Sequence, residues 1–466
     1  MKRQQFAYEK LTQILRAQIL SGFIKPGEYI MSENELCRYY GLSRTSVRRA
    51  LELLAKEGLI VRNVGQGTMV ALDLVVRRDN RKTLHIMRPF ASHYGDNVLP
   101  LLIGKFAARH PHVEVKVLSL PPANFWGALR ECAAMGLHPD IVLASDRQFK
   151  ELERPADFLD LRPIFDRYAD SVYGKLLEPF RQDGQIKAAP VTFSTVYLAY
   201  NPNLFQRYGV PLPEPDWTLE AFKRAAAMLT RDTNGDGICD VYGFLLSSSF
   251  LRWPLFALQN GVRFTEAERQ PDLVLKTLTM LHDLLYKERV ATLSQPGVQR
   301  VNSDAFLKEK AAMVLTTTFE MADWRNENPG FRPETATLPF GNTQATLLLT
   351  DALMISPNCA DVELACDFVR MAIDVPVQED VSRETGFLSV HRDVNERIWT
   401  EPSRKAMNID DGRLERGYFL YELFPDPGML EQLEEQMELF WSGLESAEQF
   451  RDCWLRLKTE GMATAR

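Results

Sequence analysis

Residues 32–68 read SENELCRYYGLSRTSVRRALELLAKEGLIVRNVGQGT, and this stretch decides the fold of the N-terminal region. Ser32, with Glu35 three residues later, forms a capping box that opens a short helix ending at Gly41. Ser43 is a good cap for a second, basic helix. Two short apolar strands then flank the glycines of GQGT. The order of helix, turn, basic helix and glycine-tipped ribbon predicts a winged helix-turn-helix that binds DNA.

The charge of the chain is divided unevenly between this region and the rest. Residues 1–82 hold fifteen Lys and Arg against eight Asp and Glu, whereas the whole chain has a net charge of −7. A basic head on an acidic body is typical of a DNA-binding domain joined to a soluble sensing domain. The side chains that we expect to face DNA are Ser43, Arg44, Thr45, Arg48 and Arg49 on the basic helix, and Gly65, Gln66 and Gly67 at the tip of the ribbon.

From about Phe6 to Leu72 the pattern closely resembles the winged helix-turn-helix of the GntR family of bacterial transcription factors. The resemblance implies that the start of the basic helix contacts bases and phosphates, and that the GQG tip contacts the backbone or the minor groove. Asn34 stands where the family usually has Arg, and Met31 where it usually has Pro. One phosphate contact of the family is therefore expected to be weakened or lost.

Composition sets the compartment and the domain count. A chain of 466 residues with 45% hydrophobic and 25% charged residues predicts a soluble protein of more than one domain. The N-terminus has no apolar core of a signal peptide, no apolar run is long enough to span a bilayer, and the six cysteines have no paired spacing. We therefore predict a cytoplasmic protein without membrane contact, with a head at 1–72, a linker at 73–82 and a body at 83–466.

In the body, strand patterns alternate with helix patterns. LHIM, VEVKVLSL and DIVLA are strand candidates, and amphipathic helices lie between them. Units of this kind predict parallel sheets with helices on their faces, and ligands bind at the carboxyl ends of such strands. The residues that follow the strands are therefore the ones to inspect: Arg88–Tyr94, Pro121–Trp126 and Ser145–Gln148.

The body resembles family 1 of the extracellular solute-binding proteins, the sugar receptors of ABC importers. The motifs GLHPDIVLASD, VYLAYNPNLFQRYG, DTNGDGICDVYGF, KEKAAMVLTTTFEMADW and ETGFLSV follow the family order. The resemblance implies a two-lobed α/β fold of the type II periplasmic-binding-protein class. It also implies that the chain crosses between the lobes near 193–200 and 347–352, and that the ligand lies between the lobes.

The same resemblance supplies candidate ligand residues. Asp146-Arg147 takes the place of a polar pair that binds sugar hydroxyls, and Phe250 takes the place of a stacking aromatic. A surface ion pair for the first and core packing for the second remain open. Ser194 and Ser248 replace family glutamates, which argues against maltodextrin as the ligand. The full set is Phe90, Asp146, Arg147, Ser194, Phe250, Trp253, Phe319 and Phe387.

One segment copies the first nine positions of a calcium loop. Oxygen ligands recur at alternate positions, with Gly237 at the sixth. The twelfth position is Gly243 rather than a bidentate Glu, so the sequence favours a structural turn and leaves calcium as the alternative. The candidate ligands are Asp232, Asn234, Asp236, Ile238 and Asp240. No other cofactor is expected.

These features predict a transcription regulator, not an enzyme, since the chain has no GxSxG, Walker A or HExxH motif. We expect a homodimer on operator DNA, with repression as the commoner mode, and a carbohydrate effector. Two other hypotheses remain open. One is a solute-binding module that docks to a transporter or a signalling partner. The other is a glycoside-active enzyme, which requires two carboxylates facing each other across the cleft.

Overall fold

The N-terminal region is a three-helix domain with a two-stranded wing. The computed structural model describes residues 2–20, 24–63, 67–74, 82–294, 303–410 and 412–464. The predicted capping box is confirmed, because the Glu35 amide donates to Ser32 Oγ at 3.3 Å and the Ser32 amide donates to Glu35 Oε2 at 2.8 Å. The elements are α1 (Lys2–Leu20), α2 (Glu33–Tyr40), α3 (Arg44–Lys56), β1 (Ile60–Asn63) and β2 (Gly67–Val70), the two strands being antiparallel.

The helices of the head pack around a shared apolar core. Leu11, Leu36, Leu51 and Leu54 are almost completely buried there. Gly41 ends α2 with a φ of 65°, a left-handed conformation that glycine adopts without strain. That turn sets the angle between α2 and α3.

The next segment alternates strands with helices, as the sequence predicts. Strand β5 is an almost unbroken apolar run because a parallel strand is covered on both faces. The elements are β3 (Lys82–Pro89), α4 (His93–Asn97), α5 (Leu99–Arg109), β4 (Val113–Leu120), α6 (Phe125–Ala134), β5 (Ile141–Ser145), α7 (Asp146–Lys150), α8 (Arg162–Phe165), β6 (Arg181–Gln182), β7 (Gln185–Ile186) and β8 (Ala189–Thr195).

A second sheet follows, again with helices between its strands. The elements are β9 (Tyr197–Tyr200), α9 (Pro202–Arg207), α10 (Leu219–Leu229), β10 (Tyr242–Ser247), α11 (Pro254–Gln259), α12 (Pro271–His282), β11 (Ala291–Ser294), α13 (Asp304–Leu307), β12 (Ala311–Thr316), α14 (Thr318–Glu327) and β13 (Glu334–Ala336). The strand order is β11-β10-β12-β9-β13, in which β10 is parallel to β11 and β12, and β9 is antiparallel to β12 and β13.

The C-terminal part is mostly helical. It contains β14 (Thr346–Ile355), α15 (Val362–Ala372), α16 (Val375–Thr385), α17 (Arg392–Ile398), α18 (Glu401–Ala406), β15 (Gly417–Phe419), α19 (Leu420–Leu423), α20 (Pro427–Trp441) and α21 (Ala447–Thr464). Residues 351–355 of β14 pair antiparallel with β5, and β3 is parallel to both β4 and β5.

The chain forms two compact units. The first unit contains Met1–Tyr168, Phe180–Val191 and Asp351–Val377, and so includes the head; the second contains Ala169–Pro179, Thr192–Thr350 and Gln378–Arg466. Over the described ranges, no helix is both long enough and apolar enough to cross a membrane.

Candidate DNA-binding face and ligand sites

The first turns of α3 present polar side chains to solvent. Arg44, Thr45 and Arg48 are exposed, and Ser43 caps the helix by accepting the amide of Ser46 at 3.2 Å. This places short hydroxyl and guanidinium groups at the end of the helix that enters the major groove in proteins of this architecture.

Glu33 fixes the position of Arg48. Its carboxylate accepts from Arg48 Nε at 2.7 Å and from Arg62 of β1 at 2.5 Å. One residue at the start of α2 therefore links the recognition helix to the wing.

Arg49 and the wing tip differ from the other predicted DNA contacts. Arg49 is exposed, but its guanidinium lies 4.2 Å from the centre of the Tyr8 ring, so a cation–π contact directs it toward α1. At the wing tip, Gly67 opens β2 with a φ of 105°, whereas Gly65 and Gln66 lie outside the described residues.

The first unit has a buried polar cluster where its strands end. Asp146 directly follows β5 and is 5% exposed. Asp351 of β14 pairs in register with Ser145, the last residue of β5. Burial and the neighbouring Asp146 raise the pKa of Asp351 to about 7. Tyr94, in α4, is fully buried, and its pKa is raised by burial and by the charge of Asp351.

An ion pair completes this cluster. Arg88, near the end of β3, is 9% exposed and pairs with Asp96 at 3.0 Å. Gly95 is required beside it, since a Cβ there would lie 2.6 Å from the Arg88 side chain. We call Arg88, Tyr94, Asp96, Asp146 and Asp351 the carboxylate cluster.

Asp146 and Arg147, both predicted as ligand residues, have different environments. Arg147 is 59% exposed and forms its ion pair with Glu151, one turn further along α7, at 3.3 Å. Adjacent helical residues point about 100° apart, which accounts for the different exposure of the two side chains. Asp146 is directed inward and Arg147 is directed to solvent.

The second unit has a different polar group at its strand ends. Arg252 and Glu320 form an ion pair at 2.7 Å and are only 2% and 7% exposed. Glu320 also accepts from Thr316 Oγ1 at 2.9 Å. Phe319, in the first turn of α14, stacks on Phe387 with a centroid distance of 5.3 Å and an interplanar angle of 28°. We call Arg252, Glu320, Phe319 and Phe387 the aromatic–ionic cluster.

Ser194, predicted as a ligand residue, has a structural role in the second unit. It is fully buried, and its hydroxyl accepts the amide of Thr318 at 2.9 Å and donates to the Thr195 carbonyl at 2.9 Å. Both hydrogen-bonding directions are used, so Ser194 holds the first turn of α14 in place.

Phe250 and Trp253, which the sequence predicts as ligand residues, pack in the core of the second unit. Trp253 is fully buried and contacts the ring of Trp454 at 5.6 Å, and Phe250 lies edge-on to Phe424 at 5.2 Å. Both rings belong to the buried apolar cluster of the second unit, where core packing accounts for them. Their apolar character serves the core of the second unit.

Phe90, also predicted as a ligand residue, contacts the head. It follows β3 as predicted, but its ring contacts Tyr40 of the head at 5.9 Å and packs against the apolar core of the head. It forms a contact between head and body.

The carboxylates of the calcium-like loop bind backbone amides. Asp232 accepts from Gly235 at 2.6 Å and from Gly237 at 2.7 Å, and these hydrogen bonds, that of Gly237 most, lower its pKa. Asp240 accepts from the Thr233 amide at 2.7 Å. Among the described residues, no group of three or more His, Cys, Asp and Glu side chains is arranged to hold a metal ion. The geometry favours a turn stabilised by its own amides.

Sequence reasoning missed Asp351, Arg252 and Glu320 as site residues, whereas Tyr94 lies in a range that the strand-end rule selected. A usable signal was present for two of them. Asp351 interrupts the apolar run LLLTDALMI, and Arg252 lies in the apolar segment FLRWPLF. A charge inside an apolar segment is costly unless it is paired or serves a ligand.

Comparison with known proteins agrees with both halves of this architecture. The chain belongs to the bacterial extracellular solute-binding protein family, whose family model matches residues 93–379. Residues 7–70 match the bacterial regulatory proteins of the gntR family and form the head. The predicted fold class is therefore confirmed. Neither family is a family of enzymes, which confirms that prediction too.

Several relatives of the head are named as repressors. The histidine utilization repressor of Klebsiella aerogenes is 34% identical over 119 residues, covering 24% of this chain and 46% of that protein. The arabinose metabolism transcriptional repressor of Geobacillus stearothermophilus is 37% identical over 87 residues, covering 19% and 24%. The chain thus spans less than half the length of either relative.

The body is similar in fold to solved sugar receptors. An ABC substrate-binding protein from Listeria monocytogenes, in complex with cycloalternan, matches with a TM-score of 0.65 at 18% identity, covering 82% of this chain and 99% of that chain. A solute-binding protein from Thermotoga lettingae bound to α-D-tagatose matches with a TM-score of 0.65 at 16% identity, covering 81% and 99%.

Proposed function

We propose that this protein is a cytoplasmic transcription repressor that binds operator DNA as a homodimer and changes its DNA affinity when a carbohydrate binds to the body. The observation that carries the proposal is the union, in one chain, of an exposed basic recognition helix and a solute-binding fold. A solute receptor fused to a DNA-binding domain can act only in the compartment that contains the DNA.

The chemistry of the two clusters supports a neutral, hydroxyl-rich effector. Carboxylates such as Asp146 and Asp351 accept hydrogen bonds from vicinal hydroxyls, and an aromatic ring such as Phe319 covers the apolar face of a pyranose. Relatives of the head repress arabinose metabolism, and fold relatives of the body bind cycloalternan and tagatose. All three observations point to carbohydrate.

Operator binding tests the first half of the proposal. The DNA upstream of the gene is titrated with wild type, Arg44→Ala and the control Arg154→Ala, and fluorescence anisotropy is recorded at several salt concentrations. Arg154 is 78% exposed and lies outside the head, so its loss removes the same charge without touching α3. We expect Arg44→Ala to weaken binding by about 1–3 kcal/mol and the control to bind like wild type. Equal binding by all three proteins would contradict the recognition helix.

Effector control tests the second half. A thermal-shift screen of arabinose, α-D-tagatose, maltotriose and cycloalternan is followed by anisotropy on the same DNA with each sugar that raises the melting temperature. We expect a stabilising sugar to change DNA affinity, because the effector must distinguish the two states of the regulator. If a sugar binds and wild type does not bind DNA, the chain is instead a solute-binding module with another partner.

A further inference from the structure

The head contacts the body through the end of α2. Tyr40 is 7% exposed in the core of the head, and the edge of its ring meets Phe90 at 5.9 Å and an interplanar angle of 75°. Tyr39 packs against the apolar cluster of the body that contains Cys132 and Trp126. Two adjacent tyrosines therefore join the DNA-reading domain to the sheet of the first unit.

Phe90 belongs to the same short segment as three members of the carboxylate cluster. Residues 88–97 carry Arg88, Tyr94 and Asp96, and Phe90 lies between the first two of these. Ala91 has a φ of 63°, a left-handed conformation that is unfavourable for a residue with a Cβ. The sharp bend at Ala91 separates the part that meets the head from the part that meets Asp351.

The segment is also held firmly at both ends. The Phe90 amide donates to the Leu120 carbonyl at 2.7 Å, and Ser92 caps α4 by accepting the Gly95 amide at 3.0 Å. Tyr94 is in turn buried beside Asp351. A displacement of Tyr94 or Arg88 is therefore passed along a short, braced stretch of chain to the ring of Phe90.

On the head side, α2 links Phe90 to the recognition helix. Tyr40 is the last residue of α2, and Gly41 turns the chain directly toward α3. At the other end of α2, Glu33 holds Arg48 by an ion pair. A helix of this length moves as a rigid rod, so a shift at Tyr40 also moves Glu33 and, with it, Arg48 and the start of α3.

We infer that residues 88–97 connect the effector site to the DNA-reading head, with the contact between Phe90 and Tyr40 as the coupling joint. This inference rests on the proposed function and names the residues through which effector binding would change DNA affinity. Because coupling between two sites is reciprocal, DNA bound to the head must also change the segment around Tyr94. That reciprocity allows a test in which the probe is the upstream DNA itself.

The experiment is hydrogen–deuterium exchange of the full chain with and without the upstream DNA, read on peptides that cover residues 92–98. In wild type we expect DNA to change the exchange rates of Gly95, Asp96 and Val98, whose amides bond within α4. In Phe90→Ala we expect DNA to bind within about twofold of wild type, but the change at 92–98 to disappear. Tyr40→Phe is the matched control, since it keeps the ring and should keep the response.

The outcomes separate the two proposals. If wild type binds DNA and residues 92–98 exchange at the same rate in both states, or if Phe90→Ala responds like wild type, the coupling joint is overturned while DNA binding stands. If wild type fails to bind DNA, the proposed function falls and the joint falls with it. With any sugar that changes DNA affinity, the same variants give a second measurement. We expect a wild-type ratio of DNA affinities of about 5–150 to shrink toward one in Phe90→Ala and to persist in Tyr40→Phe.

Discussion

The carboxyl group of Asp351 makes the stability of this protein depend on pH in an unusual direction. Burial and Asp146 raise its pKa from 3.8 to about 7. Between these two values the folded chain holds a proton that the unfolded chain has released. Stability therefore falls as the pH rises from about 4 to about 7, and it is constant above that range with respect to this group.

The size of the effect follows from proton affinity. Each tenfold difference in proton affinity between the folded and the unfolded state corresponds to about 1.4 kcal/mol. Between pH 5 and pH 8 the wild type should therefore lose about 2–3 kcal/mol of unfolding free energy through this carboxyl. Asp351→Asn keeps the size and hydrogen-bonding capacity of the side chain but cannot ionise. The variant should gain that amount relative to wild type over the same interval.

Urea-induced unfolding at pH 5, 6, 7 and 8 measures the difference between the two proteins, in which all other titrations cancel. Asp361→Asn is the matched control. Asp361 caps α15, and the hydrogen bond from Lys82 lowers its pKa. Its contribution is therefore lost only in acid, and the difference from wild type should be flat above pH 5. If the advantage of Asp351→Asn changes by less than about 0.5 kcal/mol across the range, the usual scatter of surface substitutions, the carboxylate cluster is not arranged as described.

Three other substitutions test the second unit. Phe319→Ala should weaken binding of any stabilising sugar, measured by calorimetry, and leave the DNA affinity of the sugar-free protein unchanged; equal sugar affinity argues against stacking at this ring. Arg252→Met should lower the unfolding free energy by about 3–5 kcal/mol in urea, because it leaves Glu320 buried without its partner; a loss below about 1 kcal/mol contradicts that burial. Asp232→Asn tests calcium: we expect a chelator to leave the melting temperatures of wild type and variant alike, and a chelator-dependent drop in wild type alone means that the loop holds the ion.

The head could be predicted almost completely because its signals are local. The capping box at Ser32 and Glu35, the glycine turn at Gly41 and the cap at Ser43 each act within a few residues. Such local signals do not depend on the tertiary contacts made by the rest of the chain. The strands β4 and β5 were predictable for a related reason, since β4 alternates apolar with polar residues and β5 is a short apolar run.

The sequence predicts which segments form the candidate sites, but not which of their side chains face inward. The rule that ligands bind at strand ends selected Arg88–Tyr94 and Ser145–Gln148, and the carboxylate cluster does draw on both ranges. Within each range the rule does not tell which side chains face inward. Phe90 turns to the head while Tyr94 turns to Asp351, and Asp146 is buried while Arg147 is exposed. Which neighbour faces inward depends on helix phase and on one backbone bend.

Asp351 shows why the remaining part could not be read from the sequence. It faces Asp146 only because β14, which is distant in sequence, returns to pair antiparallel with β5 in one register. A slip of that register by one residue would turn Asp351 to the other face of the sheet and place Thr350 or Ala352 beside Asp146. The register is set by the buried apolar residues further along β14, Leu353 to Ile355, which have no part in ligand chemistry. The carboxylate cluster is thus a consequence of core packing, and substitutions in that core should alter ligand recognition without touching a single polar residue.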